Sequence, residues 1–528
     1  MQRSERILDA PPSPRDNRPV IGRETLVGGL LILALLSVVQ RLVGLVRSIL
    51  FCRWLEPEPL GLWDLAYSFV LLAAPLAVLA IPSAFRRYVE HYRIRGQLRS
   101  MICQATMVSM ALAILGAACI WVARSYFASL IFGSPEYQPI VLWISLTLIG
   151  VIAFHYLGDL LVALRSVRVA AYLQLVCSVS FALGSLVLIR LWEASASVVV
   201  VSYGLSCVAA SALGTFWLWR HWQELPETSA PLRPKELWGK VLPFAGWVWV
   251  GSALANLLLA VDRYLLVHLA PLHPEEVLQL VGQYHAARIF PMLLVGLAEL
   301  ASPVLTPYLA QDWEAGHRRW VSERLNRWLR VLGLLQWLMA VLLLGVGPLI
   351  FEGILDGKFA GGYHVLPGTL AAALWFAWFS LAQNYCYCSE QGHWAVLARV
   401  AGLVTSIVLC VIFIPWFMLH GAVWAAASGA FVAALALHLF SMPSGLIFEK
   451  RTILVLLLPA SLPMGMTAHL MLLPVAVWIV WHSDIRDWLN RPQRSGELLH
   501  RPPGDRPVSK DLAVQQVLER EFVELGSN

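Results

Sequence analysis

Within stretches that are otherwise apolar and long enough to span a membrane, the sequence places Arg41, Arg47, Asp64, His155, Asp159, Asp262, Arg263, His285, Arg288 and Glu299. An ionisable group at such depth costs several kcal/mol when it faces lipid, so it faces a cavity or a partner of opposite charge. Across residues 279–310, His285, Arg288 and Glu299 fall within roughly 60° of one another on a helix turning 100° per residue. The resulting polar stripe is either a cavity wall or one side of a salt bridge joining two helices. Arg41 and Arg47 point about 120° apart. Arg41, the deeper of the two, is expected to face a cavity, and Arg47 to reach toward the outer interface. His155 and Asp159, at i and i+4, share a helix face. Asp262 and Arg263 stand at the end of their apolar stretch, where an ion pair with another helix and a ligand role are equally open. Asp64, Asp159, Asp262 and Glu299 could each couple a proton or sodium ion to a conformational change, although a structural hydrogen bond is the commoner use of such a group.

The elements that must position these residues are helices in lipid. Apolar residues make up 58% of the chain, charged residues 14%, and the mean hydropathy is +0.67. A soluble core of this length cannot hide that much apolar surface. Runs of about 20 apolar residues, the length that crosses roughly 30 Å of hydrocarbon, predict spans at 24–52, 59–84, 100–123, 137–163, 169–190 and 196–219. Six more are predicted at 241–262, 279–310, 329–351, 364–387, 395–416 and 420–441. The block 452–482 is too long for one span and is broken by Pro459, Pro463 and Gly465, which predicts a helix pair. The fold class is therefore an all-α polytopic membrane protein of about 14 helices.

The same pattern divides the chain into a disordered cytoplasmic tail (1–23), an N-terminal six-helix half (24–221) and a cytoplasmic linker (222–240). A C-terminal six-helix half (241–442), the accessory pair (452–482) and a second cytoplasmic tail (483–528) follow. Within the last tail, 511–525 has the pattern of an amphipathic helix, although a loosely ordered tail is the expectation there. An internal repeat supports the two halves. Leu60-Gly61-Leu62-Trp63-Asp64-Leu65-Ala66 matches Val281-Gly282-Gln283-Tyr284-His285-Ala286-Ala287 at an offset of 221, which also pairs Ala80 with Ala301 and Pro82 with Pro303. Related halves of this kind place a binding path between them.

A net charge of +6 would suggest nucleic acid as partner in a soluble protein. Here the basic residues lie in short segments between apolar runs, so they read as topology signals. Even-numbered connections hold eighteen Lys and Arg against five in the odd-numbered ones, which predicts both termini in the cytoplasm and no nucleic-acid partner. Cys386 and Cys388 lie close together, yet no second Cys or His pair follows at metal-ligand spacing, so neither a metal nor a cofactor is expected.

The tract Ile414-Pro415-Trp416-Phe417-Met418-Leu419-His420-Gly421-Ala422-Val423-Trp424-Ala425-Ala426 resembles the "IP…GAAxA" segment of polysaccharide flippases in the multidrug/oligosaccharidyl-lipid/polysaccharide exporter superfamily. Asp262-Arg263 followed by Val281-Gly282-Gln283-Tyr284 resembles the "D+ … vGxY" pattern there. Arg41-Leu42-Val43-Gly44 followed by Leu60-Gly61-Leu62-Trp63 looks like its first-half counterpart. The likeness covers about residues 24–442. It departs at Phe417-Met418-Leu419-His420, which lacks the glycine usual there and leaves the local turn open.

The resemblance implies a carrier, not an enzyme, in the cytoplasmic membrane. It would move polyprenyl-diphosphate-linked oligosaccharide by alternating access for polysaccharide biosynthesis or export, with membrane lipid around it and polymerase or assembly proteins as partners. Arg41, Arg47, Arg263 and Arg288 would be its substrate-binding cations, and Arg288 would meet the diphosphate bidentately. A peptidoglycan-precursor flippase and a drug or cation antiporter of the same superfamily stay open. A membrane-embedded polymerase or ligase would need a larger outward segment than about 263–278. Trp63, Trp247, Trp249, Trp375 and Trp378 lie within spans and would flank a sugar if they faced the cavity; core packing is their commoner use.

Overall fold

Proline is tolerated in the first turn of a helix, where its missing N–H has no carbonyl to serve, and Pro57, Pro234 and Pro274 each open a long apolar helix. The computed structural model describes residues 26–225, 232–465, 468–469 and 471–474, with side chains from Leu35 onward except Pro303. The first half comprises α1 (Leu26–Trp54), α2 (Pro57–Ala77), α3 (Phe85–Ile94), α4 (Leu98–Val122), α5 (Arg124–Phe132), α6 (Gln138–Ala163), α7 (Val167–Leu191) and α8 (Ala196–Arg220). The second comprises α9 (Pro234–Leu258), α10 (Val261–Leu269), α11 (Pro274–Glu314), α12 (Arg318–Pro348), α13 (Ala360–Cys388) and α14 (Gly392–Ser441). Beyond them α15 (Lys450–Leu457) runs into a 3-10 turn, Leu458–Met464. The described residues up to Leu472 belong to one packed unit.

Eleven helices among the described residues are long and apolar enough to cross a membrane. The last of them bends at Met418, where φ is 46° and ψ −118°, so its two arms answer to the separate spans expected at 395–416 and 420–441. Each of the twelve expected core spans thus has a helical counterpart. The accessory pair is represented by α15 and its 3-10 extension, and most of the remaining block, like the terminal tails and 511–525, lies outside the described residues.

The outer surface is built for lipid. Leu115, Leu183, Leu205, Trp247 and Leu342 are each more than half exposed, where a soluble protein would place charge. Inside the first half, α8 packs on α6 and α7, and α2 on α6; inside the second, α13 packs between α11 and α14. The short helix α3 is amphipathic. Phe85, Val89 and Tyr92 fall on its buried face at helical spacing, joining a core with Leu225 and Leu232 from the connection between α8 and α9 and with Leu237 and Val241 of α9.

The halves meet along α2 and α11. A Cβ on Gly61 would run into the carbonyl oxygen of Leu278, and a Cβ on Gly282 into that of Pro57. Pro57 and Leu278, like Gly61 and Gly282, are separated by the repeat offset. The crossing is therefore reciprocal: each helix offers the other a glycine, and any side chain there would force the backbones apart.

Candidate functional site

One helical turn beyond the glycine crossing, α2 carries Asp64, with 4% of its surface exposed. Its carboxylate gathers three basic side chains from the other half. Arg263 Nη1 donates to Asp64 Oδ2 at 2.6 Å, His285 Nδ1 lies 2.7 Å from Oδ1, and Arg288 Nη1 stands 3.9 Å from Oδ2. A carboxylate can only accept, so Nδ1 of His285 carries the proton in that contact. A buried ion is tolerated only when its charge and hydrogen-bonding capacity are both met, and Asp64 satisfies both conditions.

Arg263 is positioned by a break in the backbone. The seventh span, expected to run to 262, stops at Leu258, and Ala260 leaves the helical region with φ −126° and ψ −22° before α10 begins. Asp262 and Arg263 thus belong to the first turn of a separate short helix, which corrects their expected place at the end of the long one. Apolar Leu259 and Ala260 carry no compositional breaker, so tertiary bonds fix the turn. Arg263 also donates to Ser68 Oγ at 2.7 Å and to Leu259 O at 2.5 Å, and the Tyr264 hydroxyl donates to Leu65 O at 3.1 Å. Asp262 accepts from the Tyr284 hydroxyl at 2.5 Å. Its other oxygen has no hydrogen bond, though Arg263 Nε lies 3.8 Å away.

A cavity of about 530 Å³ opens between the halves, lined by Arg41, Arg47, Asp64, Arg263, His285, Arg288 and Glu299 among others. Four guanidiniums therefore face two carboxylates across it. Arg41 reaches over Gly296, where a Cβ would collide with its guanidinium, and pairs with Glu299 at 3.1 Å. Arg288 makes no hydrogen bond to protein among the described residues and packs 5.5 Å from the centre of the Tyr284 ring. His285, Arg288 and Glu299 all line this cavity, and each also lies within 4 Å of an ionisable group on α1 or α2.

A second cavity of about 460 Å³ lies within the first half, bounded by α1, α2, α6, α7 and α8. It shares Arg41, Gly44, Arg47, Tyr67 and Leu71 with the first. Arg47 does not reach toward the outer interface as expected. It lies inside the bundle, 4.3 Å above the Phe181 ring, because an aromatic face offers the guanidinium a site within the protein. His155 lines this second cavity. Asp159 lines neither, since Arg86 holds its carboxylate at 2.9 Å.

Sequence reasoning missed the neutral polar groups Gln40, Ser68, Gln174, Ser178 and Asn256 that complete the two linings; Ser68, one turn after Asp64, had the spacing to be found. Of the tryptophans, Trp63 joins an aromatic cluster, Trp249 donates to Leu76 O and Trp375 to Leu456 O. Trp378 is buried, and Trp247 is 75% exposed on the outer surface. Their use is packing and lipid contact.

Residues 26–313 match the family described as "Polysaccharide biosynthesis protein". Curated proteins provide no sequence match. Among solved structures, the fold is similar to that of the lipid II flippase MurJ in an inward closed conformation, with a TM-score of 0.64, 13% identity, and coverage of 87% of this chain and 100% of that one. It is also similar to an inward-facing multidrug resistance MATE transporter of the MOP superfamily (TM-score 0.57, 14% identity, 78% and 98% covered). A MOP superfamily transporter from Pyrococcus furiosus, whose binding pocket is described as having reverse polarity, gives 0.56, 14%, 79% and 95%. These neighbours are transporters and flippases, not enzymes.

Proposed function

Since the chain belongs to the polysaccharide biosynthesis protein family, within the MOP superfamily of transporters, we propose that it is a flippase for polyprenyl-diphosphate-linked oligosaccharide. It works by alternating access in the cytoplasmic membrane, with both termini in the cytoplasm. The observation that carries this reading is the excess of guanidiniums over carboxylates in the cavity between the halves. A diphosphate is a multiply charged anion that guanidinium forks meet with parallel N–H···O bonds, and an apolar surround makes each such bond count for more than it would in water.

Arg288 is the first contact. It stands near Asp64 without a hydrogen bond, so an arriving diphosphate engages it without breaking one. Arg41 follows on the opposite wall, exchanging Glu299 for the ligand. In this reading the glycine crossing lies toward the outer side, since the connections that precede α2 and α11 are poor in basic residues. Rocking of the halves about the α2–α11 crossing would then expose the cavity to alternate sides. A peptidoglycan-precursor flippase, the activity named for one structural neighbour, would use the same cations. A drug antiporter would favour carboxylates instead. The oligosaccharide is handed to polymerase or assembly proteins on the far side.

The test is surface polysaccharide in cells carrying Arg41→Ala or Arg288→Ala, with membrane insertion verified. Both variants are expected to lose the polymer; normal polymer in both would reject the cationic cavity.

A further inference from the structure

We propose that the cavity within the first half is a saccharide subsite that takes an acidic sugar residue, with Arg47 receiving its carboxylate. This rests on the flippase reading and names one feature of the cargo. Arg41, Arg263 and Arg288 each have a carboxylate within 4 Å. Arg47 has neither an ion pair nor a hydrogen bond among the described residues, and its Nε is buried without an acceptor. Its Cζ lies 4.3 Å from the centre of the Phe181 ring and 5.9 Å from that of Phe51. A neighbouring aromatic ring attracts the cation but offers its N–H groups no oxygen acceptor. Among the described residues no carboxylate lines this cavity, so the ligand is the source of the anion.

The rest of the lining fits a sugar better than a bare phosphate. Trp63, Tyr67, Phe181 and Tyr203 form one aromatic cluster with ring centres 5.1–6.0 Å apart. Tyr67, Phe181 and Tyr203 reach the cavity surface. The electron-rich face of such a ring attracts the slightly positive C–H face of a pyranose. Gln40 and Gln174 also line the cavity without a protein hydrogen bond among the described residues. An amide offers both donors and an acceptor, which is what sugar hydroxyls require. The volume of about 460 Å³ falls in the range of about 300–1,000 Å³ of small-molecule sites. The wall shared through Arg41 and Tyr67 lets one molecule place its diphosphate in the first cavity and a nearby sugar in the second.

The experiment is saturation-transfer NMR on the full-length protein in nanodiscs, with methyl β-glucuronide, methyl β-glucoside and farnesyl diphosphate as probes. The glucuronide is expected to bind at least about tenfold more tightly than the glucoside, the size of a lost charge-assisted bond. R47Q should remove that preference and R47K should keep part of it, both with unchanged thermal unfolding. R288A should weaken farnesyl diphosphate and leave the glucuronide bound. Equal binding of the two sugars, retention of the preference in folded R47Q, or displacement of the glucuronide by farnesyl diphosphate would each overturn the proposal. Loss of the diphosphate arm alone would reject the flippase reading and leave the sugar site standing.

Discussion

Asp64 and His285 occupy the same position in the two repeats, 221 residues apart, and their side chains meet at 2.7 Å between Oδ1 and Nδ1. This contact lies one turn from the crossing of Gly61 and Gly282, which are separated by the same offset. The chemistry has diverged where the geometry has not: one half contributes the carboxylate, the other the imidazole and the two nearby guanidiniums.

Removing that carboxylate strands the basic groups. Asp64→Asn leaves Arg263 buried without its main counter-ion, a loss of about 3–5 kcal/mol for a broken buried pair. Thermal unfolding in detergent is expected to fall markedly. The double variant Asp64→Asn with Arg263→Gln should recover part of it, because no uncompensated charge then remains; equal stability of the single variant and the parent would contradict the account.

Gly61→Ala and Gly282→Ala each place a methyl group against a carbonyl of the opposite helix. Backbone has no rotamer to yield, so α2 and α11 must separate, at a cost of about 1–3 kcal/mol each. Unfolding temperatures should drop in both variants and by similar amounts. A drop in only one would deny the reciprocity of the crossing.

Met418 holds a positive φ of 46° in the bend of α14, conformational space that suits glycine. Met418→Gly is expected to raise stability by about 1 kcal/mol through release of backbone strain. Gly421→Ala in the same bend, whose Cβ would press on Phe413 O, should lower it. Calorimetry of the two variants checks the pair, and the opposite order would refute the strain.

Reporter fusions check the orientation. Fluorescent protein joined after residue 482 should fluoresce, and alkaline phosphatase joined there should be inactive, as the eighteen basic residues of the even-numbered connections require.

Much of this was legible in the sequence, and the remainder for definable reasons was not. Apolar length located the long helices, and the bend at Met418 falls in the gap between the spans expected to end at 416 and resume at 420. Short helices such as α3, α5 and α10 were missed because their bounds depend on packing and not on crossing a membrane. The end of α9 at Leu258 was misplaced by the same cause: Arg263 reaching for Asp64 decides it. Depth in its span sends Arg47 toward the outer interface, since one helix's sequence holds no information about the Phe181 ring contributed by another. The repeat offset relates Asp64 to His285, but an offset in sequence does not say which equivalent positions touch.

The central claim is that guanidiniums in the cavity between the halves carry a lipid diphosphate across the membrane. Its most direct test is transbilayer movement of a fluorescent polyprenyl-diphosphate-linked oligosaccharide in liposomes holding the purified protein. The account predicts that the protein equilibrates this lipid between leaflets and that Arg288→Ala, folded and inserted, slows the movement at least about tenfold, the loss of a charge-assisted contact. Movement at the parent rate in Arg288→Ala and in Arg41→Ala alike would contradict it.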